Sequence, residues 1–129
     1  MWRAIGGVVA GVVTWVVVVT VLNLGLRYGW AEYGAVEKAM AFTVPMMIAR
    51  LTESGLSSIL SGWMAASVAR NRAAALWSGV VLLLTFLPIH YKLWNTFPLW
   101  YHLTFLSSLI ILSVLGGMFA RSRAAGQPA

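Results

Sequence analysis

The sequence predicts an all-α integral membrane protein: a single four-transmembrane-helix bundle, N-in and C-in, whose second span is preceded by a Pro-kinked segment. Three observations carry this. Of the 129 residues, 60% are hydrophobic and only 9% charged, whereas a soluble domain carries about 25% charge. The apolar residues fall in long runs, and a bilayer-crossing helix needs ~20 of them, so four helices use ~80 residues. Six would need ~120 and leave no room for loops. An ordinary water-soluble enzyme, a disordered chain and a large polytopic transporter are excluded together. With no repeat and no composition break, residues 1–129 read as one membrane domain.

The first span, 5–26, is a nearly unbroken run of Val, Gly, Ala and Leu after Arg3. It is longer than the 7–15-residue apolar core of a cleavable signal, and Asn23-Leu24-Gly25-Leu26-Arg27 offers no small-x-small cleavage site, so it reads as retained. Residues 27–38 form a loop in which Arg27 and Lys38 balance Glu32 and Glu37. The apolar stretch from Ala39 to Ala69 is too long for one simple crossing. Pro45 breaks it, because proline removes a helix hydrogen bond and clashes with the turn before it. The second span is therefore placed at 51–69, after a kinked or interfacial segment at 39–49. The third covers 73–90 and ends near Pro88. An aromatic hairpin follows at 91–98, and Pro98, suited to a first helical turn, opens the fourth span at 98–120. The tail after Arg121 reads as frayed.

Orientation follows from the basic residues. Four crossings put Arg3, Arg70, Arg72, Arg121 and Arg123 on one side without any acid, and the positive-inside rule makes that side, with both termini, cytoplasmic. The compact chain suits a bacterial-type inner (plasma) membrane. All four tyrosines fall on the other side with Trp30, Trp94 and Trp100, as an aromatic belt or the wall of an outward-facing site.

Helix faces narrow the candidate residues. Gly7 and Gly11 on the first span, and Ser113 and Gly117 on the fourth, have the small-xxx-small spacing that lets membrane helices pack closely. On the second span Arg50, Glu53, Ser54, Ser57, Ser58 and Ser61 share an arc of about 140°. The stripe is either a helix-packing face or a wet vestibule. Arg50 and Glu53, three apart, can pair, but an ionisable residue at membrane depth costs ~2.5–3.5 kcal/mol and marks a candidate site. Asn23, His90 and His102 lie ~12–14 Å above their helix centres, at 1.5 Å per residue, in the same outer layer.

Asn23, Arg50, Glu53, His90 and His102 are thus the candidate ligand or ion site, with Tyr91, Trp94, Trp100 and Tyr101 as an outer aromatic cluster. The leading reading is a non-enzymatic accessory or binding protein that presents this cluster to a partner protein or a lipid-like ligand. Its partners are the bilayer and a second copy or another membrane protein. The rival is a small oligomeric transporter or channel with Glu53 as coupling group and a serine-lined path. Ranked below both is a redox subunit in which His90 and His102 hold haem, or join Glu53 around a divalent metal. No cofactor is otherwise expected. There is no aspartate and no phosphate loop, HExxH or GxSxG pattern, so no catalytic residue is named. The absence of cysteine removes disulfides and thiolate sites. The net charge of +6 is scattered over helix ends with no basic face, which argues against a nucleic-acid partner.

Overall fold

The computed structural model describes residues 2–125, with side chains described to residue 120. Five helices follow in order: α1 Trp2–Gly29, α2 Ala31–Val36, α3 Val44–Ala69, α4 Ala73–Lys92 and α5 Leu99–Ala125. All but α2 are long, and α3 packs against α1, α4 and α5. The chain is an all-α, multi-pass membrane bundle.

Among the described residues three helices, not four, are apolar and long enough to cross a bilayer: Trp2–Gly29, Ala73–Lys92 and the Leu99–Ala120 stretch of α5. The expected span at 51–69 is the one that drops out. Its residues belong to α3, which is long enough at 26 residues but carries Arg50, Thr52, Glu53 and four buried or cavity-lining serines. The physical reason is that α3 is polar inward and apolar outward. Glu53, Ser54, Ser57, Ser58 and Ser61 are buried against its neighbours, while Ile48, Leu56, Leu60 and Val68 are exposed. Mean hydropathy averages the two faces, and the inward face dilutes the outward one. With the four-crossing parity gone, the argument that put both termini on one side goes with it.

The Pro-kinked segment is corrected as well. Pro45 sits in the first turn of α3, where a missing N–H costs nothing because first-turn amides have no intrahelical partner. Thr43 is the N-cap, its hydroxyl accepting from the Met46 amide at 3.5 Å, and the helix runs unbroken to Ala69. Residues 39–43 are turn and extended chain rather than helix. The loop expected at 27–38 is largely helical, since α1 reaches Gly29 and α2 follows after Trp30. Pro88 lies inside α4, which continues to Lys92. The backbone is helical from Arg121 to Ala125, and the expected fraying beyond that lies outside the described residues.

Small residues set the helix spacing. A Cβ on Gly7 would meet the Ala65 carbonyl at 2.6 Å, and one on Gly11 would meet the Ser61 carbonyl at 2.9 Å, so α1 rides directly on the α3 backbone. On the other flank, Gly62 faces the Ser113 carbonyl of α5 and Gly116 faces the Ile59 carbonyl of α3. Gly117 abuts Ala75 of α4. Such close approach replaces hydrophobic exclusion as the source of helix association in lipid. It occupies the half of the bundle where α3 meets the α3–α4 turn, leaving the opposite end, formed by α2, the α4–α5 turn and the adjoining helix ends, to the bulky side chains.

Candidate functional site

At that bulky end the aromatic core is continuous. Tyr33 stacks on Phe42, Phe42 on Phe97 and Phe97 on Tyr101, with centroids 4.6–6.0 Å apart. Tyr33 comes from α2, which explains why this six-residue helix folds there: it delivers one fully buried phenol.

The Tyr33 hydroxyl organises a chain of polar contacts. It donates to Asn23 Oδ1 at 2.6 Å and accepts from Arg50 Nη1 at 2.9 Å. Arg50 Nε donates to the Tyr101 hydroxyl at 3.1 Å, and its guanidinium carbon lies 4.6 Å from the Phe42 ring centroid. Asn23 Nδ2 donates to Glu37 Oε2 at 2.7 Å. Arg27 grips the same carboxylate with two bonds, 2.6 Å and 3.1 Å. These bonds hold the Glu37 carboxyl below its ordinary range, the Arg27 hydrogen bond contributing most. Burial raises the Tyr33 phenol above its ordinary value, against the pull of the Arg50 charge. Arg27–Glu37 is the one ion pair among the described residues. Arg50 and Glu53 share a helix but do not pair.

Beneath this network lies a cavity of about 420 Å³ between the helices. Asn23, Arg27, Glu37, Arg50 and Glu53 supply its polar groups, and Trp15, Phe86, Tyr101 and Phe105 its aromatic walls. Thr20 and Leu24 of α1 also line it and are exposed, which places its mouth beside α1. Glu53 is 7% exposed; its side chain has no hydrogen-bond partner, and Oε2 is wholly buried without one.

The histidines form a separate pair on the α4–α5 hairpin. His90 Nδ1 and His102 Nδ1 lie 2.7 Å apart, and His102 Nε2 is 3.3 Å from the Trp94 carbonyl. A carbonyl can only accept, so His102 carries its proton on Nε2 and presents a bare Nδ1. His90 Nδ1–H is then the donor, and His90 Nε2 is left as a lone pair. These protons are assigned from the network. The Trp94 indole stacks on His102 at 4.9 Å, and Phe105 lies 4.7 Å from His90.

Of the residues singled out from the sequence, Asn23, Arg50 and Glu53 converge on the cavity, while His90 and His102 converge on each other. No group of three or more His, Cys, Asp or Glu able to hold a metal occurs among the described residues, so His90, His102 and Glu53 do not assemble into a metal site. Nor can two imidazoles hydrogen-bonded directly to each other flank a haem iron. In the serine stripe, only Ser54 lines the cavity. Ser57 and Ser58 donate back to the Glu53 and Ser54 carbonyls, Ser58 also accepts from Trp15 Nε1 at 3.1 Å, and Ser61 is fully buried. The outer aromatic cluster divides: Tyr101 is buried in the core, whereas Tyr91, Trp94 and Trp100 are exposed.

Sequence reasoning missed Tyr33, Glu37 and Trp15 as site residues. Trp15 had a signal, because a tryptophan midway along an apolar helix is out of place for an interfacial anchor. Tyr33 belongs to the outer aromatic belt read from the sequence, but its place at the centre of the network depends on a short helix without periodicity. No protein-family model, curated protein or solved structure matches the chain.

Proposed function

We propose that this small multi-pass membrane protein binds a ligand with an apolar body, a lipid or lipid-like amphiphile, in the cavity between α1, α3, α4 and α5. The observation that carries the reading is the cavity's division of labour: aromatic walls from Trp15, Phe86 and Phe105, and polar groups from Asn23, Arg50 and Glu53. A volume of about 420 Å³ falls within the 300–1,000 Å³ usual for ligand pockets, which are mostly apolar with a few placed polar groups. Exposed Thr20 and Leu24 supply an approach from the apolar surface of α1, the route an amphiphile dissolved in the bilayer would take. The role is binding or accessory rather than catalytic, in a membrane of bacterial inner-membrane type. A serine-lined transport path is the weaker reading, because Ser57, Ser58 and Ser61 are occupied in packing.

Native mass spectrometry of protein released from lipid nanodiscs tests the proposal. Wild type is expected to retain one amphiphile. Thr20→Trp, which enlarges an exposed side chain at the cavity mouth, is expected to lose it while keeping the same thermal stability. Equal retention by both proteins would refute the cavity as the binding site.

A further inference from the structure

The polar groups of the cavity are not equally committed. Arg27 is neutralised by Glu37, and Arg50 is directed to two phenol oxygens and the face of Phe42. Glu53 is the one charged group of the cavity without a hydrogen bond: it is buried beside the similarly unpartnered Ser54 hydroxyl, the Arg50 guanidinium near it is bonded elsewhere, and no donor reaches its carboxyl group. A carboxylate in a low-dielectric interior is costly unless a cation or hydrogen-bond donors compensate it. The surrounding walls suit a cation, since the faces of Trp15, Phe86, Tyr101 and Phe105 carry the negative side of the aromatic quadrupole.

Resting on the reading of the cavity as an amphiphile site, we infer that the ligand's head is an amine, held as an ammonium group by Glu53 and the aromatic walls. The ammonium supplies the N–H donors that Glu53 lacks and balances its charge, and the alkyl or aryl body of the ligand fills the apolar remainder. A carboxylate head would place a second negative charge beside Glu53. An alcohol head would donate one hydrogen bond and leave the charge facing only Arg50, whose N–H groups are directed to the two phenols.

Binding of radiolabelled octylamine, octanol and octanoate to the full chain in nanodiscs, with empty nanodiscs as blank, tests the inference. The expected order is octylamine far ahead of octanol, with octanoate weakest. Glu53→Gln is expected to weaken octylamine by about tenfold or more, the value of a hydrogen bond to a charged group. The same variant should weaken octanol far less than octylamine, and an unfolding curve matching wild type shows that it folds. Preference for octanoate would assign head recognition to Arg50 and overturn the inference. Equal binding of amine and alcohol, or an octylamine affinity indifferent to Glu53→Gln, would overturn it as well while the cavity remained an amphiphile site. If none of the three binds above blank, the amphiphile reading itself falls and takes the inference with it.

Discussion

Tyr33→Phe removes one oxygen atom and no packing surface, yet it strips the site network of its centre. The residue is fully buried, and its hydroxyl both receives the Arg50 Nη1 proton and donates to Asn23 Oδ1. A hydrogen bond involving a charged group contributes ~1.5–3 kcal/mol and a neutral one ~0.5–1.5 kcal/mol. The two losses sum to ~2–4.5 kcal/mol, with the lower end expected because the neighbouring cavity can admit water to the freed donor. Tyr101→Phe provides the internal standard. It removes only the bond from Arg50 Nε and should cost ~1.5–3 kcal/mol. Reversible unfolding in mixed micelles titrated with a denaturing detergent reads both. The variant at Tyr33 should be the less stable by about one neutral hydrogen bond. A double-mutant cycle with Asn23→Leu should recover a coupling of ~0.5–1.5 kcal/mol between Tyr33 and Asn23. If Tyr33→Phe costs less than Tyr101→Phe, or shows no coupling to Asn23, the phenol is not the hub described.

Three further outcomes are expected. Gly62→Ala drives a methyl group into the Ser113 carbonyl and should destabilise by ~1–3 kcal/mol or more; Gly25→Ala, with open space around it, should be neutral or stabilising by up to ~1 kcal/mol, and equal effects in the same unfolding assay would rule out the α3–α5 close approach. Glu37 titrates below its ordinary value in the folded protein, so its stabilisation is intact above the unfolded carboxylate value of 4.5 and is lost as pH falls through the lower folded value. Acid melting curves of Glu37→Gln should therefore be flatter than wild type below that value, and superimposable shapes would contradict the pairing with Arg27 and Asn23. Nitrogen NMR of the histidine rings should find His102 protonated at Nε2 and His90 at Nδ1 at neutral pH; the reverse assignment would break the hydrogen-bond order from Trp94 to His90.

Much of the bundle was legible because membrane helices announce themselves by length and apolarity: α1, α4 and α5 lie where the Val- and Leu-rich runs place them. At α3 the misplaced start has a cause separate from the inward polarity that removes it from the spans. Pro45 reads as a breaker because proline in a helix interior is one, but its position relative to a cap decides its effect. Thr43 two residues earlier turns it into a start signal. Inclusion of residues 44–50 then makes α3 a long, centrally packed helix whose inward polarity is tolerated because three apolar helices cover it. The site was half legible on the same logic. Helical spacing placed Arg50, Glu53 and Ser54 on one face, and they do line one cavity. Depth alone put His90 and His102 in the same layer, but depth says nothing of azimuth, and the histidines turn toward each other. Tyr33 and Glu37 reach the site through a short helix and turn whose direction is set by tertiary contacts, which no local pattern encodes.

The most direct test of the central claim is the position at which a cavity ligand touches the chain. An amphiphile bearing a diazirine at its chain end, photolysed on the protein in nanodiscs, should label Trp15, Val19, Phe86 or Phe105, and Thr20→Trp should abolish that labelling. Label confined to exposed positions such as Val13, Leu84 and Ile111, at equal yield in both proteins, would mean that the amphiphile merely bathes the helices and that the cavity binds nothing.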